Sequence, residues 1–176
     1  MVHVPSKKSV KKKSIAEKSL YLNTSIDAVL FEGITEYDAK DAGFSVIKNL
    51  GLLPEEEINK ISSMGKYEKN VYIGKLRGSN SELSRGMTKG LREAVYEFIK
   101  VNEIPDEQIL SIKNDAVFVI GNLKMKVLEI NGVFFSRKNN YTSYHYIAGK
   151  EFYYNSVRNE ITTKGITIPK GEIGRA

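Results

Sequence analysis

Apolar residues recur along this chain with two different periods, and the change between them divides it. Between residues 39 and 101 the period is helical. Ala42, Val46, Ile47 and Leu50 fall at helical spacing up to Gly51, which predicts a helix over 39–50. Pro54 followed by Glu55, Glu56 and Glu57 predicts a second helix closed by Gly65, because the macrodipole favours acids in a first turn. Residues 67–76 fit a short helix, and 77–81 (Arg-Gly-Ser-Asn-Ser) read as a loop. Leu83, Met87, Leu91, Ala94, Val95 and Phe98 form one stripe of a long helix over 81–101, expected to be central to the core.

Outside that block the pattern is strand-like. Residues 27–34 read as a buried strand ending at a glycine, with Asp38 at the strand's exit or the start of the next helix. The runs 109–112 and 116–120 flank Lys113-Asn114-Asp115 as in a tight hairpin. From Leu123 onward a β-meander is predicted, with turns at Asn131-Gly132, at 138–140 and at Gly149-Lys150. The fold class is therefore α+β: helices packed on a small mixed or antiparallel sheet, with a C-terminal meander. Three segments are expected: a disordered basic tail (1–14), an α/β core (15–122) and a β-rich extension (123–176).

Charge sharpens the division. The chain of 176 residues carries a formal net charge of +6, and residues 1–18 alone contribute +5 of it. Lys7, Lys8, Lys11, Lys12 and Lys13 crowd a segment with almost nothing to bury, so it should be disordered when free and suited to phosphate contact. A solubilising or targeting role is the plainer alternative. There is no cysteine, and the two histidines, His3 and His145, are far apart in the chain, which sets aside thiolate metal sites and Ser/His or Cys/His catalysis. No glycine pattern makes a nucleotide-cradling loop. No apolar run approaches the roughly 20 residues of a membrane span, so cytoplasm is the expected location.

The remaining chemistry lies in carboxylates and cations. If the strand before Asp38 and the hairpin carrying Asp115 are neighbours in one sheet, their tips bring two carboxylates together, the hard oxygen ligation that Mg2+ prefers. Asp41 lies close by in sequence. Arg85, Lys89 and Arg92 make a basic stripe on the long helix, able to meet a triphosphate or a nucleic-acid backbone, although such stripes are more often solvated faces. Tyr141, Tyr144, Tyr146, Tyr153 and Tyr154 could stack bases, though strand aromatics usually pack on a sheet.

Three segments resemble a known family. Residues 36–44 (Glu-Tyr-Asp-Ala-Lys-Asp-Ala-Gly-Phe) resemble the strand-exit aspartate segment in the palm of polymerase I-like and single-subunit RNA polymerases, phage enzymes among them. Residues 85–89 (Arg-Gly-Met-Thr-Lys), with Tyr96, resemble the fingers helix that grips the incoming triphosphate. Residues 111–119 resemble the hairpin of the second palm aspartate, in a reduced form with a short interval before it and Glu97 where the family has glycine.

The resemblance implies a nucleotidyltransferase palm with Asp38 and Asp115 as catalytic Mg2+ ligands. Arg85, Lys89 and Tyr96 would bind the nucleotide, and the lysine tail and Arg92 the nucleic acid. Polymerase or virion subunits are further expected partners. Two other readings stand beside it: a non-enzymatic nucleic-acid-binding or virion-associated protein, and an assembly protein whose strand edges pair with neighbouring subunits.

Overall fold

The computed structural model describes residues 14–165. After a 3₁₀ turn at Ile15–Glu17 come β1 (Leu20–Leu22), β2 (Ala28–Val29), β3 (Ile34–Ala39), α1 (Ala42–Leu50), α2 (Glu55–Ser62), α3 (Lys66–Ser79) and α4 (Ser81–Val101). A second 3₁₀ turn, Asp106–Gln108, leads to β4 (Ile109–Lys113), β5 (Ala116–Ile120), β6 (Glu129–Ile130), β7 (Val133–Tyr141), β8 (Ser143–Ile147), β9 (Lys150–Asn155) and β10 (Glu160–Gly165). The strands form a six-stranded sheet, ordered β1-β4-β5-β3-β7-β6, and a four-stranded sheet, ordered β10-β9-β8-β2. Every pairing is antiparallel, and the fold is α+β with a C-terminal meander.

Strand alternation assigns the two faces of the six-stranded sheet to different partners. Tyr37, Ala39, Val117, Val119 and Phe135 face the helices and pack with Ala94, Val95, Phe98 and Ile99 of α4. Ile34, Ala116, Phe118, Ile120 and Tyr141 face the four-stranded sheet and pack with Val29, Tyr144 and Tyr153. A satellite core among the helices joins Phe44, Ile47, Ile61, Ile73, Leu83 and Met87. The molecule is thus three layers: helices, a first sheet, a second sheet.

Several expectations are corrected. The strand read over 27–34 is two, because Gly33 at φ +75° occupies the left-handed region and turns the chain from β2 in the second sheet to β3 in the first. Asp38 therefore lies inside β3, and the turn and helix start come later, at Asp41 and Ala42. Residues 77–79 continue α3, and Asn80 caps α4 by accepting the Leu83 amide at 3.1 Å. Residues 138–140 are strand. They look like a turn because β6 pairs only with Val133 and Phe134, leaving the rest of β7 as a polar sheet edge. The register shift opposite Glu36 and Tyr37 makes Lys138 the extra residue of a β-bulge. The basic tail lies outside the described residues, apart from Ser14. β7 pairs with β3 along the length of β3.

Candidate functional site

The β4–β5 hairpin closes with Lys113 opposite Ala116, so Asn114 and Asp115 form its two-residue turn, with Asn114 at φ 54°. β5 then runs beside β3 with Ala116 opposite Asp38. The Ala39 amide donates to the Asp115 carbonyl at 2.8 Å, tying the hairpin tip to the end of β3. These constraints bring the Asp38 and Asp115 side chains close enough for the charge of one to act on the other.

The pair is electrostatically frustrated. Burial first, and the Asp38 charge second, push the Asp115 carboxyl above its ordinary value. The Lys138 ammonium, aimed by the bulge, lies 3.3 Å from Asp38 Oδ2 and is itself raised, chiefly by the Asp38 charge. Asp38 Oδ1 is buried and has no hydrogen-bond donor. A proton on Asp115 or a cation is what that oxygen lacks.

Beside this pair, between the two sheets, two buried carboxylates are better provided for. Glu36 Oε1 accepts from Asn139 Nδ2 at 3.0 Å and from the Tyr141 hydroxyl at 3.2 Å, and Lys164 lies 3.9 Å from Oε2. Burial and the Glu36 charge raise the Tyr141 hydroxyl to about 12. Glu151, fully buried, pairs with Lys113 and accepts from the Tyr153 hydroxyl at 2.7 Å. Among the described residues, no three His, Cys, Asp or Glu side chains gather as a ready metal nest, so protein ligation at Asp38 and Asp115 would come from two carboxylates.

The other expected site residues lie elsewhere. Asp41 is held by Lys69 of α3 at 2.8 Å. Arg85 and Lys89 are exposed on α4, where Lys89 sits 4.0 Å from Glu93. The α4 residues that do face the sheet, Ala94, Val95 and Phe98, meet the side opposite to Asp38. The structure therefore joins Asp38 to Asp115 and keeps Arg85, Lys89 and Tyr96 on the far side of the first sheet. Arg92 and Tyr96 line a shallow cavity of about 310 Å³ with Glu17 and Glu93; Arg92 Nε is buried without a partner, and Lys100 lies 5.7 Å from the Tyr96 ring centre. The 3₁₀ turn at residues 15–17 packs on α4.

Of the tyrosines considered for base stacking, Tyr141, Tyr144 and Tyr153 are core residues with ring centres 4.8–5.0 Å apart in successive pairs. They have no face to offer a base. Lys138, Glu36 and Glu151 join the site without having stood out in the sequence. Glu36 and Asp38 at i and i+2 on an apolar strand were the available signal for a polar row on one face, whereas a bulge such as that at Lys138 leaves no mark in composition.

An α+β sandwich backed by helices, with an acidic pair at one end of its central strands, is the class of protein these features define. Residues 11–171 match the family described as Bacteriophage PBS1 gene 130 protein, and the chain belongs to that bacteriophage family. No curated protein matches it. Among the described residues no helix is long and apolar enough to cross a membrane.

Proposed function

We propose that this phage protein acts on or with nucleic acid, and that Asp38 and Asp115 hold a divalent cation, Mg2+ by preference, that receives phosphate oxygens. The observation that carries the reading is the buried, donorless Asp38 Oδ1 beside an Asp115 carboxyl raised by burial and by the Asp38 charge. Hard oxygen donors suit Mg2+, which keeps several waters and is commonly bound by one or two carboxylates together with a ligand's phosphates. When bound, such an ion supplies charge neutralisation at phosphate oxygens. The chain's own residues do the rest. Asp38 and Asp115 fix the position through the Ala39–Asp115 backbone bond, and Lys138, largely exposed, can swing from Asp38 to a phosphate.

A fingers-type grip on the same nucleotide is not part of this proposal, because Arg85 and Lys89 belong to another face. There they serve, with Arg92 and the lysines of the N-terminal segment, as phosphate contacts to a longer strand. Nucleotidyl transfer, the finest form of the reading, rests on the acidic pair alone.

A second reading, of a non-enzymatic nucleic-acid-binding or virion-associated protein, is favoured by the root of that lysine-rich segment on α4 beside Arg92. The test that separates them is a titration of melting temperature with magnesium chloride, run on wild type, Asp38→Asn and Asp115→Asn. Metal-dependent stabilisation of wild type alone, followed by metal-dependent incorporation or release of labelled nucleotide, supports the first reading. Salt-sensitive nucleic-acid binding with no metal response in any form supports the second.

A further inference from the structure

The four-stranded sheet has one face against the core and one open to solvent. Alternation sorts its residues: Tyr144, Glu151 and Tyr153 point inward, whereas His145, Ile147, Phe152, Tyr154 and Ile161 point outward. His145 stands directly opposite Phe152, and Tyr154 opposite Ile161, so the outward side chains form adjoining columns across β8, β9 and β10. They line a shallow concavity of about 390 Å³, and Ile147 and Ile161 are 59% and 68% exposed. Stable folding does not need two large aliphatics on an open sheet face, and scattered single exposures would not line up in this way.

Charge decides what such a face can receive. Among the described residues, its outward strand positions include no carboxylate, whereas Lys150 lies on it and Arg158 stands exposed in the β9–β10 turn. The acids of these strands are elsewhere: Glu151 is turned inward to Lys113, and Glu160 lies opposite Asn155 on the inward row. Flat rings on a rigid sheet with cations at the rim and no acid between them fit unpaired bases with their phosphates at the edge. Base–aromatic stacking is sequence-tolerant because every base has a π-face.

We propose that the outer face of the β2-β8-β9-β10 sheet is a stacking platform for single-stranded nucleic acid, with Phe152, Tyr154 and His145 as the rings and Lys150 as a phosphate contact. The platform lies on the opposite side of the molecule from α4 and uses none of the groups of the acidic pair, so it goes beyond the cation site. A duplex, whose bases are already stacked, gains little from it.

The experiment is fluorescence anisotropy of the full chain with labelled short oligothymidylate. EDTA excludes any contribution of the cation site, and the salt is high enough to weaken the lysine tail, whose contacts release counterions. Phe152→Leu and Tyr154→Leu, which keep apolar volume and remove the ring, should each weaken binding about tenfold. Tyr154→Phe should retain it. Ile161→Glu, which alters a side chain already mostly exposed, should weaken it by placing a carboxylate on the face. Wild-type affinity in all three weakening variants overturns the proposal. So does a wild type that self-associates through this face, with the variants abolishing self-association and leaving oligonucleotide binding unchanged.

Discussion

Asp38 and Asp115 lie side by side across the β3–β5 pairing, and the second is held above its ordinary value of 3.8 by burial and by the charge of the first. The sign of the resulting pH dependence follows from linkage. The folded protein holds the Asp115 proton more tightly than the unfolded chain does. The stability this group contributes is therefore complete below about pH 4 and is lost as pH rises through the raised folded value. Asp115→Asn removes that loss. Denaturant unfolding across the acidic range should show wild type falling behind the variant as pH rises above about 4, without added divalent metal; parallel profiles would mean that Asp115 titrates normally.

The buried face of α4 makes a second prediction. Phe98 is fully buried, stacks on Phe135 with ring centres 4.3 Å apart and touches the Tyr37 ring at 5.6 Å. Phe98→Ala should cost about 3–5 kcal/mol, whereas Leu91→Ala, at a partly buried position, should cost less. Arg85→Ala and Lys89→Ala should stay within about 0.5 kcal/mol, being solvent-facing. Urea denaturation of the four variants reads all of these values.

Between the sheets, Lys113 is the cation that accompanies a fully buried Glu151. Lys113→Met should destabilise by about 3–5 kcal/mol, because it strands a charge in the interior. Adding Glu151→Gln should recover much of that loss, since the stranded charge is then gone. A double variant no better than the single one would show that the pair matters for packing rather than charge.

The N-terminal segment should act separately from the fold. Deleting residues 1–13 removes five of the lysines and leaves the turn at Ile15–Glu17, where Ala16 enters the core. The melting temperature should hold. The slope of log affinity for nucleic acid against log salt should flatten by about 0.7–0.9 for each phosphate that the shortened chain no longer neutralises. An unchanged slope would assign those lysines another role.

Much of this architecture was legible from periodicity. The stripe ending at Phe98 marked the α4 face that became core, and the apolar runs on either side of residues 113–115 marked the hairpin that carries Asp115. The meeting of Asp38 and Asp115 is legible only on the condition that β3 and β5 are neighbours, which they are. Other features were hidden for physical reasons. Gly33 looked like the end of a strand because a left-handed corner between two sheets and a strand terminus use the same residue. Lys138 read as part of a turn because a solvent-facing edge strand and a loop have the same polarity. The far-side placement of Arg85 and Lys89 depends on which face of the sheet α4 covers, and helical spacing alone carries no such information.

The central claim, that Asp38 and Asp115 form a divalent-cation site, is tested most directly by thermal unfolding over a magnesium titration. By linkage the stabilisation should grow as RT ln(1 + [Mg2+]/Kd) in wild type, and Asp38→Asn and Asp115→Asn should each show no metal response while remaining folded. Wild-type and variant curves that rise together, or a wild-type melting temperature indifferent to magnesium, would contradict it.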